Sequence, residues 1–513
     1  MDYDPLSKAV NDLFGLSYLF PYQRLVIANI LEAASDAGIK LNWSTNVVTE
    51  SAANAVNDVL SDRESMGRQI VILPTGAGKS LCFQLPAMLM DKPTLVIYPI
   101  LGLMADQERR LSERGFAPVV LRGSQTMEER EEIFSKLKSG KSKFIIANPE
   151  ILLTRGIFPR LKDMGIVHIV IDEAHCVSEW GESFRPSYLE INKIIKEAGS
   201  PLVTAFTATA GSAVLEKIEK YIFGSLGAAR IVGNPDRKNI YYSSCGCLVK
   251  NLAVRDLLHT MERPAIVFCS SRPATEKLAL YLRNEAVKPC ARPGAKLHFN
   301  DIRFYHAGLS REEKKECEDW FLHNPKGVLT ATCAYGLGID KSDIRTVIHR
   351  DTPPSVEAYL QESGRAGRDG LGSGAVLLWG PEDDNYLALA KSKEERLRLE
   401  KLLLYARDPI RCRRDALLDL LDYDGERDSP GAACCDVCEK KFSPYYREQK
   451  SLVDFFKKNR GRYTSPEAVK ILSCAENIGW TEDDAEEAVL YLIKDKKLKI
   501  STNPLWKRKI FCV

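Results

Sequence analysis

The stretch "QIVILPTGAGKSLCFQLPAML", residues 69–89, runs from apolar β-formers through a glycine-rich turn into a helical segment. The turn "LPTGAGKS" (73–80) is built to cradle phosphate. Thr75, Gly76 and Gly78 let backbone N–H groups point inward, Lys79 reaches the terminal phosphates, and Ser80 offers a hydroxyl to Mg²⁺. The strict eight-residue pattern begins with glycine, and here Leu73 stands in that place. A glycine turn with a surface lysine is the competing reading. The strand before and the helix after outweigh it, and they fix the fold class as α/β.

The same alternation extends along the chain. "QIVILP", "TLVIYP", "PVVL", "KFIIAN", "HIVID" and "LVTAF" lie between residue 69 and about 230, separated by polar or amphipathic stretches. Continuous apolar strands separated by helices predict a parallel sheet covered on both faces. The pattern restarts at "PAIVFCS" (264–270) and continues through "DIRFYH", "KGVLTAT", "IRTVIH" and "GAVLLWG". Two tandem sheet domains are expected, with a boundary near "GNPDRKNIYYSS" (233–244). After Gly380 the β-runs stop, and "SKEERLRLEKLLLYARD" (392–408) and "RRDALLDLLDY" (413–423) have helical spacing.

"IDEAHCVSEWGESFRP" (171–186) poses a second problem. Asp172 ends an apolar strand at the edge where open α/β sheets bind ligands, so it is suited to hold Mg²⁺ through water. Glu173 is placed to orient or deprotonate an attacking water. The chain then runs into Trp180, Phe184 and Arg185, either a stacking surface or core residues of the next helix. In "QESGRAGRDG" (361–370), Arg365 and Arg368 share a face if the segment is helical, and arginine suits the charge on a transferring phosphoryl group. The second sheet has no phosphate loop, so one ATP shared between the two domains is the economical expectation.

Bulk properties fit this reading. The 513 residues exceed one ordinary core, and 45% hydrophobic with 27% charged residues is typical of a soluble globular protein. The start "MDYDPLSKAVNDLF" is acidic and mixed, so no secretory leader is expected, and no apolar run is long enough to span a bilayer. Fourteen cysteines, mostly scattered, suit a reducing compartment. A net charge of +3 decides nothing about nucleic acid, but "FKKNRGRY" (456–463), "KDKKLK" (494–499) and "WKRKIF" (506–511) cluster base near the end.

Over roughly residues 10–440 the chain resembles the RecQ family of superfamily-2 DNA helicases. "LFGLSYLFPYQRLVI" (13–27), "LPTGAGKSLCFQLPA", "VIYPILGLMADQ" (96–107) and "IDEAHCVSEWGESFRPSY" carry the resemblance. "FTATA" (206–210), "IVFCSSR" (266–272), "YHAGL" (305–309), "TATCAYGLGIDKSDIRTVIH" (330–349) and "YLQESGRAGRDG" complete it in order. The resemblance implies ATP-driven 3′-to-5′ translocation on single strands of DNA, with duplex unwinding in repair, recombination or replication. It implies that Gln23 reads adenine, that Asp340 contacts the ribose, and that His175 and Gln361 link the water and the γ-phosphate. It makes Trp180, Phe184 and Arg185 the residues coupling DNA to hydrolysis; stacking on aromatic rings is blind to sequence, as such coupling requires.

The expected domains are 1–232 and 233–388 for the two RecA-like sheets, 389–446 for a helical zinc module, and 447–513 for a short winged-helix-like unit. Three features depart from the family. Phe20 occupies the place of a usual arginine, which removes one nucleotide contact and predicts looser adenine selectivity. Residues 35–66 read as an insertion with an alanine-rich helical middle. In the cysteine group, Cys412, Cys435 and Cys438 have counterparts, but the fourth place falls near Ala432, leaving Cys434 as substitute. Zn²⁺ on Cys412, Cys434, Cys435 and Cys438, a weaker site completed by another donor, and no metal all remain open; the expected ligand set is the four cysteines.

In the tail, Thr481 opens a helix with acids first and lysines last, and "LKIS" and "KRKIF" flank a turn as in a hairpin. The basic hairpin beside Trp506 is the better DNA candidate, with a merely solvated hairpin as its rival. Two alternative functions are an RNA helicase, disfavoured by "CVSEWGESFRP" and the cysteines, and an ATP-dependent DNA translocase or clamp without unwinding. Location is expected to be cytoplasmic and nucleoid-associated in a bacterium, or nuclear in a eukaryote.

Overall fold

The computed structural model describes residues 5–42, 67–74, 76–180, 185–199, 202–287, 297–336, 341–425, 427, 434–474 and 480–513. Two compact units divide the chain, Met1–Pro235 and Asp236–Val513. The first holds strands β1 (Arg68–Ile72), β2 (Thr94–Ile97), β3 (Val119–Val120), β4 (Phe144–Ala147), β5 (His168–Ile171), β6 (Leu202–Thr207) and β7 (Ala229–Val232). They form one sheet in the order β3-β4-β2-β5-β6-β1-β7, parallel throughout. Helices cover both faces, so alternate residues of each strand enter different cores. Ile70, Ile72, Leu95, Ile97, Ile169 and Ile171 face one core; Val71, Leu73, Val96 and Val170 face the other.

Register aligns the strand ends. Ile72 pairs with Thr207, Ile97 with Ile171, and Ile171 with Ala205. The phosphate loop, Asp172 and Thr207 therefore emerge at one carboxyl edge of the sheet, where α/β folds bind ligands.

The second unit contains β8 (Ile240–Gly246), β9 (Ala265–Phe268), β10 (Ile302–Tyr305), β11 (Val328–Ala331), β12 (Thr346–His349) and β13 (Ser373–Trp379). Their order is β10-β11-β9-β12-β13-β8, again all parallel. Both sheets are RecA-like. Strand β8 begins inside the segment 233–244 read from sequence as a boundary and runs past its end. It is an edge strand with alternating burial and carries Tyr241, Tyr242, Ser243 and Ser244, so it lacks the continuous apolar run that marks the central strands.

The free side of β8 is covered by the cysteine module, which follows the helices Lys393–Arg407 and Arg413–Leu420. Tyr242 bridges Cys435 in parallel fashion, and the Ser244 N–H donates to Asp436 Oδ2 at 2.8 Å. Asp436 is also paired with the fully buried Arg413, whose Nε donates to Oδ1 at 2.9 Å. A buried ion pair thus ties the module to the sheet edge and satisfies backbone groups an open edge would expose.

The tail has helices Gln449–Lys458, Ser465–Cys474 and Glu482–Lys494, then an antiparallel pair β14 (Leu498–Ile500) and β15 (Ile510–Cys512). This is a winged-helix-like arrangement. The Thr481 hydroxyl accepts the Asp484 N–H at 3.1 Å, and Asp484 Oδ2 accepts the Thr481 N–H at 3.1 Å, as the acids-first pattern requires. Leu452, Phe456, Trp480, Val489 and Leu492 build its core, and Leu248, Val249 and Leu252, just beyond β8, complete it. The tail is thus continuous with the second sheet's packing.

Glu448 sits at this joint, 6% exposed, accepting the Leu248 N–H on Oε2 at 2.8 Å. Burial pushes its carboxyl up to about 7, against the pull of that N–H and of Arg447. A folded value above the unfolded one favours the fold below the unfolded value, and that contribution is lost as pH rises through 7. From pH 5 to pH 8, denaturant melts are expected to move by roughly 2–3 kcal/mol in favour of Glu448→Gln over the parent. An unchanged difference would show that the carboxyl is hydrated.

Candidate active site

The loop after β1 turns on two glycines in the left-handed region, Gly76 at φ +86° and Gly78 at φ +72°. Gly78 directly precedes the helix Lys79–Leu89, so the first N–H groups of that helix open toward the loop. Lys79 folds back, its Nζ donating to the Leu73 carbonyl at 3.2 Å, and Ser80 lies half-buried in the first turn. Gln23, in the helix Pro21–Asp36, reaches this loop from below: its Nε2 donates to the Ala77 carbonyl at 2.9 Å.

Asp172 follows β5 and is 8% exposed. Its N–H donates to the Ile97 carbonyl at 3.0 Å, and its Oδ1 accepts the Glu173 N–H at 3.0 Å. Burial and the neighbouring Glu173 push its carboxyl up to about 7, while the Lys79 ammonium pulls it down. A buried carboxylate under the pull of the Lys79 ammonium, at the sheet edge where the phosphate loop emerges, fits a Mg²⁺ site.

Glu173 has φ +50°, a strained backbone for a residue with a side chain. Its Oε2 lies 3.4 Å from His175 Nδ1, which is also 3.1 Å from Thr207 Oγ1. Thr207 Oγ1 donates its one proton to the Thr209 carbonyl at 2.9 Å. The histidine must therefore donate from Nδ1, and this fixes its tautomer. Nothing in "FTATA" (206–210) by itself marks Thr207 for a role; the adjacency of β5 and β6 supplies it.

Trp180 ends the helix Cys176–Trp180. Arg185 is engaged by Glu150, with Nε to Oε1 at 2.8 Å and Nη2 to Oε2 at 2.6 Å, and Ser187 Oγ donates to the same carboxylate at 2.7 Å. Glu150, just past β4, was not anticipated. Thr75, Phe184, Asp340 and residues 43–66 of the expected insertion lie outside the described residues.

In the second unit, Gln361 lies half-buried in the helix Val356–Ser363. That helix stops at Ser363, so the shared helical face expected of Arg365 and Arg368 is corrected: both sit in the turns beyond it. Gly364 closes the helix, and Gly367 takes φ +55°. Arg365 is buried at 3% exposed, and Arg368 is half-buried. Two unforeseen side chains at the start of this unit fix the turns. Arg237 Nη2 donates to the Gly367 carbonyl at 2.8 Å, and Asn239 Nδ2 donates to it at 2.8 Å. Ordinary polar residues of a loop, they carry no motif to announce them.

The sulfurs of Cys412, Cys434, Cys435 and Cys438 all lie within 4.8 Å of one another. Cys412 and Cys434 are 3.6 Å apart, and Cys412 and Cys435 4.0 Å. A tetrahedron with Zn–S bonds near 2.3 Å has edges of roughly 3.8 Å, so the cluster is compatible with zinc. Although burial opposes it, N–H groups of Cys438 and Arg413 aimed at Sγ hold the Cys435 thiol below its ordinary value.

Residues 49–218 match the DEAD/DEAH box helicase family and residues 249–370 the helicase conserved C-terminal domain. An ATP-dependent DNA helicase Q1 from Caenorhabditis briggsae is 30% identical over 477 residues, covering 87% of this chain and 74% of its own length. The chain belongs to the RecQ family. An ATP-dependent DNA helicase RecQ from Pasteurella multocida is 35% identical over 391 residues, 74% of this chain. The RecQ-family chain described here spans only 58% of that relative's length. A solved DUF1998 helicase, MrfA, bound to DNA, shares the fold at a TM-score of 0.57 and 16% identity, over 99% of this chain and 62% of its own. Among the described residues no helix is long and apolar enough to cross a membrane.

Proposed function

We propose that this RecQ-family chain is an ATP-hydrolysing DNA helicase that moves 3′ to 5′ on single strands and unwinds duplex in repair, recombination or replication. One observation carries the proposal: the phosphate loop and the Asp172–Glu173–His175–Thr207 chain leave the same sheet edge. Thr75, Gly76, Gly78 and Lys79 bind the phosphates, with Gln23 at the base end. Mg²⁺ held by Ser80 and Asp172 would neutralise charge on the phosphate oxygens. Glu173 takes the proton of the attacking water. His175 lies between Glu173 and Thr207, so a movement of β6 is felt at the base.

The remaining roles rest on the resemblance. Gln361, Arg365, Arg368 and Asp340 serve the γ-phosphate and ribose, and Trp180, Phe184 and Arg185 couple DNA to hydrolysis. Glu150 holds Arg185 through Nε and Nη2, and exchange of that carboxylate for a DNA phosphate would give the coupling a physical switch. The four cysteines are proposed to hold one Zn²⁺. The proposed domains are 1–232, 233–388, 389–446 and 447–513, acting in the nucleoid of a bacterium or the nucleus of a eukaryote.

Strand displacement on 3′-tailed, 5′-tailed and blunt duplexes with ATP and Mg²⁺ tests this reading. Only the 3′-tailed substrate is expected to be unwound. DNA-stimulated hydrolysis without displacement on any substrate would leave a translocase or clamp.

A further inference from the structure

We propose that Arg414, in the helix that follows Cys412, is a positioning residue for ATP hydrolysis: through Arg237 it holds the turn that carries Arg365 and Arg368. The inference rests on the reading of those two arginines given above and goes beyond it by naming what keeps them in place.

A chain that leaves a helix turns out carbonyls for which the helix supplies no N–H. Three such carbonyls converge on one guanidinium. Arg237 Nη1 donates to the Gly364 carbonyl at 3.2 Å, and Nη2 donates to those of Ala366 at 3.2 Å and Gly367 at 2.8 Å. Gly364 and Ala366 flank Arg365, and Gly367 precedes Arg368, so Arg237 fixes the backbone from which both side chains leave. A planar fork of donors suits several acceptors at once, whereas a lysine ammonium is a single point.

The backbone of Arg237 belongs to no helix or strand and lies in the loop between β7 and β8. Arg414 anchors it. Its Nη2 donates to the Arg237 carbonyl at 2.6 Å and to that of Ile240 at 3.4 Å, and its Nη1 lies 3.5 Å from Asp236 Oδ2. The Arg414 and Asp236 side chains are both shielded from water, where charge-assisted bonds are strong and directional.

Arg414 makes no hydrogen bond to the turn itself among the described residues, so its effect passes through Arg237. Its neighbour Arg413 points elsewhere, to Asp436 beside Cys435. Consecutive residues on a helix diverge by about 100°. One short helix thus divides two tasks: Arg413 docks the cysteine module on β8, and Arg414 sets the loop of Arg237. Removal of Arg414 should therefore loosen the arginine turn and leave the module docked.

Hydrogen exchange and steady-state hydrolysis of the full chain test this. The Gly367 N–H donates to the Ile344 carbonyl at 2.8 Å and the Gly370 N–H to the Gly367 carbonyl at 3.0 Å, so amides within 364–370 report the turn. In Arg414→Ala they are expected to exchange about ten-fold faster, while those of 434–440 keep the parental rate. At saturating single-stranded DNA, kcat should fall roughly five- to twenty-fold with KM for ATP within about two-fold of the parent. Arg414→Lys keeps a donor for the Arg237 carbonyl and should recover most of both effects. In an Arg237→Ala background, Arg414→Ala should slow hydrolysis no further, whereas general loosening would multiply the two losses. Parental exchange at 364–370 in Arg414→Ala overturns the proposal, as does multiplication of the two losses. Faster exchange at 434–440 also overturns it, because Arg414 would then be a prop of the cysteine module. Hydrolysis slowed by Arg368→Ala but not by Arg414→Ala sinks the positioning role and leaves the helicase reading standing. A parent chain that hydrolyses no ATP sinks both.

Discussion

Glu173→Gln is expected to lower DNA-stimulated ATP hydrolysis by about 10²–10⁴-fold while ATP still binds. Glutamine keeps the size of the side chain and leaves the backbone N–H to Asp172 Oδ1 in place, so the loop and the Mg²⁺ position survive. What is lost is a carboxylate able to take a proton. Initial rates at saturating single-stranded DNA, beside calorimetric binding of the imido analogue of ATP, separate these effects. A rate within about three-fold of the parent would remove Glu173 from the handling of water. Thr207→Val is the companion variant. It removes the acceptor for His175 Nδ1 without touching the phosphate loop, so kcat should fall about ten-fold with KM unchanged.

Removing zinc, or Cys435→Ser, is expected to destabilise the second unit by several kcal/mol, because metal affinity is also folding energy. Cys435 is fully buried, takes two backbone N–H groups on its sulfur, and bridges Tyr242 of β8. Loss of the metal would therefore release the Arg413–Asp436 pair and reopen the edge of the sheet. Metal analysis should return one zinc per chain, and thermal melts with and without a chelator should differ. Cys434→Ala decides the ligand set. A marked loss of zinc affinity makes the adjacent pair true ligands, and full retention means that another donor completes the site.

The central strands of both sheets were legible because burial on two faces demands unbroken apolar runs, and "QIVI", "TLVI" and "HIVI" answer that demand. The phosphate loop and the acids were legible because their chemistry requires fixed residue types in chain order. Strand β8 was not, because an edge strand is half-covered and its partner, the cysteine module, lies nearly two hundred residues away, as the Tyr242–Cys435 bridge shows. The Arg365–Arg368 segment misled for a similar reason. Its spacing suits a helix, but Gly364 and Gly367, held by Arg237 and Asn239, end the helix first.

By itself, then, the sequence determined the α/β class, the phosphate-binding turn, the strand-end acids, the tail helix opened by Thr481 and the presence of a cysteine cluster. All of these are local: periodicity, capping and motif chemistry act between residues close along the chain. Only the tertiary structure decided that Thr207 fixes the tautomer of His175, that Glu150 restrains Arg185, that Cys434 turns toward the other three sulfurs, and that Gln23 ties its helix to the phosphate loop. Each of these joins residues from different strands or helices. Such pairings are set by sheet order and register, and register is written in the packing of whole faces rather than in any short stretch of chain.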